Sequence, residues 1–138
     1  MMDTEFDLAI CLIIKTDEKI ESISKIMEIV PSGSIIKGQS RFDFLPKVNE
    51  NIWVLRKRYK QQSDIGTSMR DFLGGIPEFE KKIQEVNKHG ICTLRISIVS
   101  LWGQIAFSLS PDELHLLSKL GIPFEVSIFS YGNCTVNR

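Results

Sequence analysis

Apolar and polar positions alternate along this chain in two distinct periods. From Asp7 to Lys15 the chain is nearly all apolar. In an extended backbone Leu8, Ile10, Leu12 and Ile14 share one side, and Ala9, Cys11 and Ile13 share the other. Apolar residues on both sides predict a central strand or one with a covered back. Thr16-Asp17-Glu18 then offers a helix cap, and Ile20, Ile23, Met27 and Val30 recur at helical spacing with Ile26 beside them. Pro31-Ser32-Gly33 ends that helix. Ser34 to Phe44 reads as a weaker extended segment containing Lys37-Gly38, and Pro46 to Asn51 as a turn-rich connection. Ile52 to Tyr59 predicts a strand, with Trp53, Leu55 and Tyr59 on one side and Ile52, Val54, Arg56 and Arg58 on the other.

The second half alternates in the same way. Asp64 opens a helical region whose apolar face is Ile65, Met69, Phe72, Leu73 and Ile76. Gly74-Gly75 interrupts it, Pro77 suits a new first turn, and Phe79, Ile83 and Val86 continue the face. The pattern fits one kinked helix or two short ones, closed at Gly90 by a left-handed cap. Cys92 to Leu101 alternates as a strand, Gly103 marks a turn, and Gln104 to Leu109 returns as a short strand to make a hairpin. Ser110-Pro111-Asp112-Glu113 is a capping box, with Leu109 and Leu114 at the staple positions. Gly121 and Pro123 stop that helix, and Phe124, Val126 and Ile128 alternate with Glu125, Ser127 and Phe129 in a last strand ending near Tyr131.

The predicted order is β-α-β-β-α-β-β-α-β in one domain, residues 1–138. The fold class is α+β: a mostly antiparallel sheet of about five to six strands with two to three helices on one face. The opposite face, partly polar, is open to solvent and is the expected binding surface.

Composition narrows the function classes. The chain has 138 residues, 17 basic and 17 acidic side chains, and a formal net charge of zero. A balanced charge argues against a protein that coats nucleic acid or an anionic membrane through its overall field. The acidic N-terminus and the short apolar run, seven residues from Leu8 to Ile14, predict neither a signal peptide nor a membrane span. Cys11, Cys92 and Cys134 are odd in number and widely spaced, which predicts buried thiols in a reducing cytoplasm, with no disulfide framework and no metal.

No enzymatic template is met. Gly74-Gly75 lacks the spacing of a phosphate loop, and no serine lies in a nucleophile elbow. His89 and His115 have no ligand partner nearby in sequence and read as surface histidines. The acidic pairs Glu78/Glu80 and Asp112/Glu113 sit in first helical turns, where the dipole accounts for them. A non-enzymatic protein without a cofactor is therefore expected.

The local charge excess is Arg56-Lys57-Arg58-Tyr59-Lys60. Arg56, Arg58 and Lys60 would share one side of a strand, with Arg41 nearby. Such a stripe serves three ends: guarding an exposed strand, tracking phosphates, or meeting an acidic patch on a protein. The first of these is the default.

Several signatures, in order, carry a family resemblance. They are the helix end Ile26 to Ser32, Lys37-Gly38, the strand residue Trp53 and the long helical region Ile65 to Asn87. Leu109-Ser110-Pro111-Asp112-Glu113-Leu114, Leu120-Gly121 and the closing strand with Tyr131 complete them. Together they resemble the bacterial domain of unknown function 4279 family over nearly the whole chain. Two departures stand out: Gln39-Ser40 lacks the acidic residue expected there, and the basic run after Trp53 is particular to this chain. Small proteins similar to this family lie beside bacterial toxin genes and are regarded as immunity proteins. The resemblance thus implies a cytosolic protein that binds and blocks a toxin domain, and it carries no catalytic residues. The expected partner contacts, chosen as outward-facing, are Arg41, Arg56, Arg58, Arg95 and Tyr131. The alternatives are a nucleic-acid module on Arg56, Arg58 and Lys60, or a small enzyme assembled from distant residues.

Overall fold

The computed structural model describes residues 6–40, 42–62, 64–100 and 105–130. Its elements are β1 (Phe6–Thr16), α1 (Ile20–Met27), β2 (Gly33–Ile35), β3 (Asn51–Gln62), α2 (Ile65–Gly74), α3 (Phe79–Val86), β4 (Ile91–Ser100), α4 (Pro111–Leu120) and β5 (Phe124–Ser130). The five strands form one sheet in the order β2-β3-β1-β4-β5. Three pairings are antiparallel, and β5 runs parallel to β4 across the α4 crossover. The α+β class, the mostly antiparallel sheet and the single helical face therefore hold.

One face of the sheet makes the core. Leu8, Ile10, Leu12 and Ile14 of β1 stand beside Trp53 of β3 and Leu94, Ile96 and Ile98 of β4, all buried. Ile20, Ile23 and Met27 of α1, Ile65, Met69, Phe72 and Leu73 of α2, Ile83 and Val86 of α3, and Leu120 of α4 join the same cluster. All four helices thus cover one side. Trp53 is fully buried, and its indole Nε1 donates to Ser24 Oγ on α1 at 3.0 Å, so the largest core side chain leaves no polar atom unmatched.

Polar contacts fix the helices over this core. Lys82 of α3 donates to the Met27 carbonyl (3.2 Å) and to Glu28 (3.0 Å), placing a cation at the C-terminal end of α1. Glu113 of α4 is 5% exposed; its carboxylate accepts from its own cap at Ser110 N (2.8 Å) and meets Arg70 of α2 at 2.7 Å. A Cβ on Gly66 of α2 would run into that carboxylate, so the glycine lets the two helices meet there. The capping box read from the sequence is present in full.

Five local expectations are corrected. Val30 lies past the end of α1 and is 84% exposed, so it is not in the apolar stripe. Thr16 does not cap α1: it ends β1, accepts from Glu18 N and donates to the His89 carbonyl. The Ile65 to Asn87 region takes the second of its two open readings, two short helices, so it is the expected number of helices, two to three, that is corrected to four. Gly90 is not a left-handed cap. Its lack of a side chain lets the backbone pass the Lys15 carbonyl, with which a Cβ would collide. Residues 105–110 form no strand, although Ile105, Phe107 and Leu109 pack on the core and Ala106 and Ser108 are exposed. Period-two burial requires only an extended chain lying on a core. A strand also requires a backbone neighbour to pair with.

Two turns carry motifs that the sequence singled out. Gly38 adopts φ +91°, a conformation that favours glycine, inside a turn closed by Gln39 N to the Ile36 carbonyl and Gly38 N to the Val48 carbonyl. Ser32 Oγ accepts from Arg56 N (2.8 Å) and donates to the Arg56 carbonyl (3.2 Å), fastening the chain just before β2 to the edge of β3.

Candidate functional site

Among the described residues no helix covers the second face of the sheet, and the register decides what that uncovered face displays. Along each strand successive side chains point to opposite faces. Cross-strand partners on the uncovered face fall into rows. One row is Arg56, Cys11, Arg95 and Glu125; the next is Arg58, Ala9, Ser97 and Ser127; a third sets Asp7 beside Val99 and Phe129. The middle row is made of small side chains on three adjacent strands. It forms the floor of a trough whose walls are the longer side chains of the neighbouring rows.

Two depressions lie along this trough. The first, about 250 Å³, is lined by Asp7, Ala9, Arg56, Arg58, Ser97 and Val99, with Lys60 at its margin. The second is lined by Arg95, Ser97, Glu125, Val126 and Ser127. They share Ser97, so the trough runs from β3 across β1 and β4 to β5.

Its charge is uneven from end to end. At the β5 end, Arg95 donates from Nε and approaches from its terminal nitrogen to the same Glu125 oxygen, both at 2.9 Å. That arginine is largely neutralised in place. At the β3 end Arg56 and Arg58 are exposed, and neither guanidinium has an ion-pair or hydrogen-bond partner among the described residues. Cys11 lies between Arg56 and Arg95 in the register. It is half-buried rather than enclosed, which corrects its reading as a core thiol. Cys92 does fit that reading: it is fully buried on the core face, and burial pushes its thiol up to about 12.

The basic run divides between the two faces. Lys57 and Tyr59 turn to the helical side, where Lys57 Nζ (2.8 Å) and the Tyr59 hydroxyl (2.6 Å) both donate to Asp71 of α2. Burial, then the bond to Asp71, raises the Tyr59 phenol, while the bonds from Lys57 and Tyr59 hold the Asp71 carboxyl below its ordinary range. Lys57 and Tyr59 therefore attach a helix. Arg56, Arg58 and Lys60 take the other parity and line the trough. Alternation made this split readable, but the Asp71 partner sits on another element and leaves no local signal.

Of the five expected contact residues, the structure brings Arg56, Arg58 and Arg95 onto one face. Arg41 and Tyr131 lie outside the described residues, as does Cys134. Sequence reasoning missed Ala9, Ser97 and Ser127, whose smallness shapes the site. Small residues facing the same way on different strands cannot be aligned without the register. The histidines are elsewhere. His89 follows α3, with Nδ1 2.7 Å from Glu18 and Nε2 3.6 Å from Glu85. His115 is exposed on α4. Among the described residues no group of three or more His, Cys, Asp or Glu is placed to hold a metal. No helix there is long and apolar enough to cross a membrane.

No curated protein and no solved structure matches the chain. One protein family does: its model, described as domain of unknown function (DUF4279), matches residues 5–131. That span takes in every strand and helix of the sheet and its cover, and so the chain belongs to the DUF4279 family.

Proposed function

We propose that this protein is a binding protein that neutralises a bacterial toxin domain in the cytoplasm by protein–protein contact, without catalysis. The observation that carries the reading is the uncovered sheet face. Arg56 and Arg58 hold two exposed guanidiniums there beside the trough, and nothing among the described residues pairs with them. Exposed cations on a rigid sheet serve electrostatic recognition: the strands fix their spacing, and the charge steers an acidic partner into place. The genomic setting of similar small proteins makes a toxin domain the partner of choice, and occlusion of its active site or substrate channel the mode of action.

Co-expression tests this. A toxin-like gene found beside the gene for this protein should arrest growth alone and permit growth with this protein, and the two proteins should copurify. Growth arrest unchanged by co-expression, with no copurification, would sink the reading.

A second reading, a nucleic-acid module, draws on the alignment of Arg56, Arg58 and Lys60 along one side of β3. It requires affinity for RNA or DNA that falls steeply with salt. Flat salt dependence removes it.

A further inference from the structure

We infer that the trough across the open sheet face holds a short, extended, acidic segment of the protein partner, its carboxylates at the β3 end. The inference rests on the binding role proposed above and names the chemistry of what is bound. Length is set by the sheet. Four strands at about 4.8 Å spacing give a trough about 14 Å long, which takes roughly four residues of extended chain. Width is set by the pleat. Rows on one face repeat every second residue, so the floor row of Ala9, Ser97 and Ser127 is flanked at about 7 Å on each side. A single peptide strand fits that interval.

Chemistry changes along the trough. Arg56 and Arg58 at the β3 end suit carboxylates, because a guanidinium grips a carboxylate through two parallel bonds. In the middle, Ser97 offers a hydroxyl that donates to and accepts from a peptide backbone, and Ser127 repeats it on β5. At the β5 end the Arg95–Glu125 pair is already internally matched, and Val99 of β4, 40% exposed, adds an apolar edge beside Asp7 nearer the middle. The segment that complements this series is acidic first and neutral or apolar afterwards.

A polyphosphate chain is the poorer match. A polyphosphate carries charge on every unit and would need cations along the whole trough, whereas Arg56 and Arg58 stand at the β3 end and Arg95 is already matched by Glu125. The whole chain carries no net charge to attract one.

The test titrates the ¹⁵N-labelled full chain with hexaglutamate and, in parallel, with hexathymidylate. Hexaglutamate should shift the amides of Ala9, Ser97 and Ser127. Arg56→Glu with Arg58→Glu should weaken it by about tenfold or more, while Lys25→Glu on α1 should change it by less than about twofold. Ser97→Glu, which puts a charge on the floor without touching the arginines, should also weaken it. Circular dichroism of each variant separates lost binding from lost folding. Three results would overturn the inference: shifts gathered away from the trough, binding undiminished in both variants, or hexathymidylate binding more tightly with a steep salt slope. Toxin rescue reads separately. Rescue together with hexaglutamate bound elsewhere removes the trough and keeps the neutralising role. No rescue, with hexaglutamate in the trough, removes the toxin and keeps the site.

Discussion

The two faces of this sheet come from the same strands, residue by residue in alternation, yet they obey different constraints. On the covered face Leu8, Ile10, Leu12, Ile14, Trp53, Leu94, Ile96 and Ile98 are buried against four helices. Each makes close contacts on all sides, so each is tied to stability. On the open face Arg56, Arg58 and Arg95 sit among Ala9, Ser97 and Ser127, and their spacing is set by a register that the covered face enforces. A one-residue slip would exchange the faces, so burial on one side specifies the display on the other. Stability and recognition can therefore be altered separately, although both are encoded in the same strands.

That separation can be broken in graded ways. The largest stability loss should come from Trp53→Ala, because Trp53 is the largest fully buried side chain. A cost of about 3–5 kcal/mol is expected in urea denaturation. Glu113→Ala follows. It removes the acceptor for Ser110 N and the partner of Arg70, but Arg70 is half exposed and regains water, so the expected cost is about 1–2 kcal/mol. Ser24→Ala leaves the buried indole N–H of Trp53 without its acceptor and should cost about 1–2 kcal/mol by the same measurement.

Open-face changes should fall at the low end of that scale. Arg56→Glu with Arg58→Glu should shift stability by no more than about 0.5 kcal/mol while abolishing partner binding. A loss of folding there would mean that the open face is structural and would erase the contrast. The smallest effect concerns pH. The Asp71 carboxyl is held below its ordinary range by Lys57 and Tyr59, so its contribution is present above the unfolded value and is lost as pH falls through the lowered folded value. Asp71 is solvent-exposed, so Asp71→Asn should lower the melting temperature only slightly near neutral pH, and the difference should vanish as pH falls below the lowered folded value.

The elements that sequence patterning captured were those whose signal is local. The capping box at Ser110, the apolar alternation of β1 and the split of β3 at Trp53 each follow from a few neighbouring residues. The misses share a different cause. Residues 105–110 alternate like a strand because they lie along the core, but pairing depends on a neighbour that alternation does not reveal. Val30 continued a helical period after the backbone had left the helix at Glu28, whose φ of 57° ends α1. The cations of the site were legible as a run, and their division between faces was legible from parity. The trough floor was not, because Ala9, Ser97 and Ser127 are brought into one row only by pairing across β1, β4 and β5.

The central claim is that the open face recognises a partner and the covered face supports it. Its most direct test is toxin copurification with the Arg56→Glu, Arg58→Glu protein, paired with a thermal melt of the same sample. The account predicts a melt close to that of the unaltered protein, no copurified toxin and no growth rescue. A variant that melts normally and still rescues growth in full would place recognition elsewhere on the molecule and contradict the account.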